Sequence, residues 1–179
     1  MSKKQAKPLS RQKIRDIAYN FRKILGIENE LYIDILRILE MILVPMGLDF
    51  EIVPVSEMDE EAVTYPQESR IVLREDVYLK AMEGNGRARY TIAHEIGHAI
   101  MHLSDRISFA RGIEAVPIYM DPEWQADVFA AELLIPKHLV GELDVKEVVS
   151  KCGVSNQAAR IQLSKYKKTD GKNPIRQGC

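Results

Sequence analysis

The chain has 179 residues, 46% hydrophobic and 28% charged, with a formal net charge of −1. That is enough apolar material for one domain with its own core, and the charge balance excludes the basic excess of a dedicated nucleic-acid binder. The cysteines, Cys152 and Cys179, have neither disulfide-framework nor zinc-knuckle spacing. No apolar run reaches the length of a membrane span, and the longest is broken by Pro45 and Gly47. The charged N-terminus is not followed by the apolar stretch of a signal peptide. The expectation is a cytoplasmic protein with no membrane contact.

In chain order, residues 1–9 read as a disordered basic lead, and residues 10–166 as one domain. Ser10 caps a predicted helix to Leu25, with Ile14, Ile17, Ala18, Phe21 and Leu25 on one face. A second helix is predicted from Glu30 to Val44, ended by Pro45 and Gly47. Leu48–Val55, Val63–Tyr65 and Arg70–Leu73 read as short strands, with a turn at Pro66–Ser69. They predict a small antiparallel sheet. An edge strand of such a sheet can hold an extended peptide by strand addition. Val77–Met82 is a short helix candidate, and Gly84-Asn85-Gly86 a loop.

Tyr90–His102 follows, and it contains His94-Glu95-x-x-His98. Residues four apart on a helix differ by about 40° around the axis, so His94 and His98 present two imidazoles to one point. Glu95 lies about 100° from His94, placed to touch a water on a metal rather than to ligate. Ile92, Ile96, Ala99, Ile100 and Leu103 form an apolar stripe on the other side. Gly97 and the neighbouring alanines predict a close-packed partner segment. A catalytic zinc takes three protein ligands and leaves a position open. A metzincin would need Gly at 101 and His at 104, where this chain has Met101 and Ser104. A carboxylate on a second helix is the remaining common solution. Ser104–Met120 has no period; then Asp121-Pro122 starts a helix over Glu123–Ile135, closed by Pro136. Glu123 is the best third ligand, and Asp127, one turn on, can accept from an imidazole N–H. His102 shares the ligand face and reads as a further supporting residue.

Residues 143–166 read as two helices joined at Gly153, similar to a helix-turn-helix, with Ser155, Asn156, Gln157 and Arg160 where a recognition helix would read bases. The neutral overall charge favours an ordinary helical hairpin packed on the core, so no nucleic-acid contact is assigned. Residues 167–179 form a basic tail.

The paired motifs, His94-Glu-Ile-Gly-His98 and Glu123-x-x-Ala126-Asp127-x-Phe129-Ala130-Ala131-x-Leu133-Leu134-x-Pro136, resemble the ImmA/IrrE family of metallopeptidases. The resemblance covers about Leu48 to Pro136. It implies an α+β fold with a zincin-like minimal core, a small sheet, an active-site helix and flanking helices. It implies His94, His98 and Glu123 as zinc ligands (manganese serving in vitro) and Glu95 as catalytic base. It also implies an intracellular endopeptidase whose substrate is a regulatory protein such as a helix-turn-helix repressor. Members often carry Asn where this chain has Asp127. Charge developing on the substrate oxygen needs a donor besides the metal. Tyr119, Tyr65 and His138 are candidates, and the sequence does not choose among them. The competing expectation is a regulator that binds metal, protein or DNA without cutting. The presence of Glu95, which a purely structural site would not need, speaks against it.

Overall fold

A computed structural model describes residues 3–102, 107–110 and 117–170. Strand β1 (Lys3–Ala6) pairs antiparallel with β5 (Ile107–Ala110), Lys3 opposite Ala110. Residues 3–9 are thus placed where a disordered lead over residues 1–9 was expected; residues 1 and 2 lie outside the described residues. Ala6 is buried, and the Leu9 N–H donates to the Tyr119 carbonyl at 2.9 Å, so the segment is tied down by backbone bonds that side-chain patterning cannot reveal.

Helix α1 (Arg11–Ile24) starts at Ser10, whose hydroxyl accepts from the Lys13 N–H. It buries Ile14 and Ala18. The next helix is shorter than its periodicity predicts. α2 (Ile35–Arg37) begins only at Asp34, which caps it, and continues as a π-helical turn over Ile38–Leu43. Two buried arginines take the upstream carbonyls: Arg22 bonds that of Glu30, and Arg89 bonds that of Ile33 at 3.0 Å. Those bonds satisfy the carbonyls without a helical ladder.

The three predicted strands form as β2 (Asp49–Val53), β3 (Ala62–Tyr65) and β4 (Arg70–Arg74), in the order β2-β4-β3. β3 and β4 pair antiparallel through the turn at Pro66–Glu68, where Ser69 adopts a left-handed conformation. β2 runs parallel to β4, so the sheet is mixed where an antiparallel one was expected. The connection over residues 54–61 carries the chain past β4 before β3 begins, and this sets the parallel pairing. Ile71, Val72 and Leu73 of the central strand are buried, and among the described residues β3 is an edge.

α3 (Glu75–Met82) leads to α4 (Gly86–Met101), capped by the Asn85 side chain at the Arg87 and Ala88 N–H groups. α4 buries Ala88, Ile92, Ala93, Ile96, Gly97 and Met101. Ala99 and Ile100 of the predicted stripe are half-buried, and Leu103 lies outside the described residues. α5 (Pro122–Leu134) starts at Asp121, whose carboxylate accepts from the Glu123 N–H at 2.9 Å. It is the central helix, packed against both α1 and α4. Trp124, half-buried, carries the Arg11 guanidinium over its ring.

α6 (Lys137–Val140), α7 (Val145–Cys152) and α8 (Asn156–Asp170) complete the chain. α7 has a capping box from Asp144 and Glu147, and Gly153 supplies the left-handed turn after it. Val148, Cys152, Val154, Ala159 and Leu163 of this pair are buried. A Cβ on Gly86 would lie 2.5 Å from the Val154 carbonyl carbon, so the hairpin turn sits directly on the first turn of α4. Ser155 caps Ala158 and, with Gln157, lines a hollow against Arg87 and Thr91. Gln157, like Asn156 and Arg160, is exposed. α8 runs through Lys167 and Lys168, which were expected in the tail, and residues 171–179, with Cys179, lie outside the described residues. Among the described residues no helix is long and apolar enough to cross a membrane.

Candidate metal centre

The site forms where α4 crosses α5. A Cβ on Gly97 would meet Phe129 Cδ1 at 3.0 Å and Ala126 Cα at 3.4 Å, so the missing side chain allows the helices their close approach. α5 is buried or half-buried at every position except Glu123 and Asp127, one turn apart. These two carboxylates face the histidines of α4.

The Nε2 atoms of His94 and His98 are 3.0 Å apart, and Glu123 Oε2 lies 3.4 Å from the first and 3.5 Å from the second. A tetrahedral zinc with ligand bonds of about 2.0–2.1 Å has ligand–ligand edges of about 3.3–3.4 Å. Two edges lie close to that figure and the third is shorter, so the three donors converge closely enough that they could hold one divalent ion. Two neutral imidazoles and one carboxylate are also the donor set of many catalytic zinc sites.

The imidazoles are held from behind. His94 Nδ1 donates to Asp127 Oδ1 at 3.0 Å, which directs Nε2 at the centre. Tyr90 in turn donates from its hydroxyl to the Asp127 backbone carbonyl at 2.8 Å. His98 Nδ1 is 2.9 Å from His102 Nδ1, and His102 Nε2 is 2.9 Å from Gln125 Oε1. Burial opposes a charge on His94, but the bonds to Asp127 and Glu123 and the nearby Glu95 outweigh it, raising its pKa to about 9. The bond from His94 holds Glu123 well below the usual carboxylate range. Burial pushes His102 down to about 4, so it is neutral near pH 7.

A metal must take the His94 Nε2 lone pair and therefore displaces the proton that His94 holds below about pH 9. The apparent affinity should rise about tenfold per pH unit from pH 7 and level off near pH 9. Asp127→Asn, which removes the charge but not the acceptor, should start the plateau at a lower pH. Competition with a chelator at several pH values measures both; a flat profile in the wild type would contradict the arrangement.

Glu95 is buried beside the ligands. The Thr64 hydroxyl donates to its Oε2 at 2.6 Å and lies 3.1 Å from its backbone carbonyl. A cleft of about 210 Å³ is walled by Ala62, Val63 and Thr64 of edge strand β3 on one side and by Glu95, His98 and Glu123 on the other.

The structure thus brings together His94, Glu95, His98, His102, Glu123 and Asp127. It does not bring His138 to them. That residue sits on α6 beyond the far end of α5, its Nε2 donating to the Glu28 carbonyl at 2.7 Å and its ring edge-on to Tyr19. Exposed there and absent from the cleft lining, it is not placed to be the oxyanion donor that the sequence reading allowed. Tyr65 is exposed at the end of β3 with the Arg70 guanidinium over its ring. Tyr119 is exposed in the turn before α5 and contributes its backbone carbonyl to Gln125. Neither lines the cleft. Thr64, Tyr90 and Gln125 were not singled out from the sequence. The only signal for Gln125 is that it is the one uncharged polar amide in α5, whose other polar side chains are carboxylates.

A family model of the IrrE N-terminal-like domain, a peptidase family, matches residues 46–164. No curated protein matches the chain.

Proposed function

Because the chain belongs to the IrrE N-terminal-like family of metallopeptidases, we propose that it is a zinc endopeptidase of the cytoplasm that cuts a regulatory protein, a helix-turn-helix repressor being the substrate class. The observation that carries this reading is the juxtaposition of three converging ligand atoms, a buried carboxylate and an edge strand around one cleft.

His94, His98 and Glu123 would hold the metal, which when bound polarises the scissile carbonyl and lowers the pKa of water. β3 offers unpaired backbone groups to an extended segment of substrate, and strand addition lays that segment along the cleft. Glu95 takes the proton of the attacking water and returns it to the leaving amine. Thr64 holds one oxygen of that carboxylate, restricting its rotation. Asp127 and His102 hold the two imidazoles in orientation.

Purified protein loaded with zinc and mixed with a helix-turn-helix repressor should yield two fragments on a gel, and a chelator should prevent the cut. A repressor left whole by protein carrying one zinc per chain would overturn the substrate class. Protein that takes up no zinc would overturn the site.

A further inference from the structure

The α5 residue Gln125 is fully buried and makes three hydrogen bonds. Its Nε2 donates to the Lys7 carbonyl at 2.8 Å and to the Tyr119 carbonyl at 2.8 Å. A carbonyl oxygen only accepts, so these bonds use both amide hydrogens and determine which end of the amide is nitrogen. Oε1 is left facing His102 Nε2, and it too only accepts. His102 must then carry its proton on Nε2, leaving Nδ1 as a bare acceptor. The group against that Nδ1 is His98 Nδ1, which must be the donor. His98 Nε2 is consequently bare, and it faces His94 and Glu123.

We propose that Gln125 is a positioning residue of the metal centre: anchored on two backbone carbonyls, it selects the tautomer of His102, and through it the tautomer of His98 that turns a lone pair towards the ligand triangle. The proposal rests on the reading of His94, His98 and Glu123 as metal ligands. Gln125 touches neither ligand nor cleft; it acts two hydrogen bonds away. A neutral imidazole carries its proton on either nitrogen, and only one choice binds a metal at Nε2. Without the amide, His102 can reverse and His98 can present an N–H to the metal. The anchor at Lys7 also gives the N-terminal segment a part in the site.

Long-range ¹H–¹⁵N spectra of the imidazoles in metal-free protein test this directly. The chain has four histidines, and His138, whose Nε2 donates to a carbonyl, serves as an internal reference. The expected wild-type pattern is a proton on Nε2 of His102 and on Nδ1 of His98. Gln125→Leu should lose this pattern and weaken cobalt binding, followed by its visible absorption, about tenfold, at the low end for outer-shell partners. A wild type with its His98 proton on Nε2 overturns the proposal, and that measurement needs no variant to fold. So does a Gln125→Leu protein with unchanged tautomers and cobalt affinity. A wild type that binds no cobalt would remove the metal reading, while the wild-type spectrum would still decide for or against the relay.

Discussion

Glu95→Gln should lower cleavage by about 10²- to 10⁴-fold and leave the fold and the metal affinity unchanged. Gln has almost the shape of Glu, and its amide can still meet the Thr64 hydroxyl that now bonds Glu95 Oε2. What it cannot do is accept a proton from water at neutral pH. Glu95 is outside the ligand triangle of His94, His98 and Glu123, so the metal has no reason to leave. Metal content and thermal transition of the purified variant, set beside its rate on the repressor, give the three quantities needed. The same variant separates a peptidase from a metal-dependent binder in cells. A binder keeps its effect without a base, whereas a peptidase loses it. Full relief of the target pathway by Glu95→Gln would sink the catalytic reading, however well the ligands converge.

Glu132→Ala should destabilise the domain by about 3 kcal/mol, the low end of what breaking a buried ion pair costs. Glu132 is 2% exposed on α5. It accepts from Arg15 Nε at 2.9 Å, from Arg15 Nη2 at 3.2 Å and from the Tyr166 hydroxyl at 2.8 Å. This bidentate arrangement ties α1, α5 and α8 together. Removing the carboxylate strands a guanidinium in a largely buried place and deprives a buried phenol of one of its partners. Arg15 keeps some access to water, which is why the low end applies. Since whole domains are stable by only about 5–15 kcal/mol, the loss should be plain in urea unfolding. Glu132 is remote from the ligands, so the metal affinity of the folded fraction should stay the same. A variant as stable as the wild type would mean that the network contributes nothing net.

The metal helix and its partner were legible because their signals are local. Asp121 and Pro122 mark the start of α5, and the structure begins that helix at Pro122. His94, His98, Glu123 and Asp127 were legible because residues one turn apart share a face, and the structure puts the four side chains together. What was missed depends on partners distant in sequence. The pairing of Lys3–Ala6 uses backbone groups of residues 107–110, and nothing in the side chains Lys-Lys-Gln-Ala announces it. The helix expected over residues 30–44 begins only at Ile35; Arg22 and Arg89 bond the carbonyls of Glu30 and Ile33 ahead of it, and both arginines lie outside the window that sets the period. Strand direction was misjudged for β2 because short apolar strands look alike whichever way they pair. Gln125 and Thr64 carry no pattern, and only their contacts give them a role.

Lys7 and Gln125 are 118 positions apart, and their hydrogen bond closes about two thirds of the chain into one loop. Closing so long a loop is entropically costly, and contacts of this span form late when a chain folds. The imidazole that the bond ultimately orients should therefore acquire its binding geometry only near the end of folding. Metal capture becomes a clock for that last event. In a refolding experiment, the cobalt absorption should lag behind the recovery of helical signal, and the interval between them measures how long the chain exists as a folded-looking but unarmed protein.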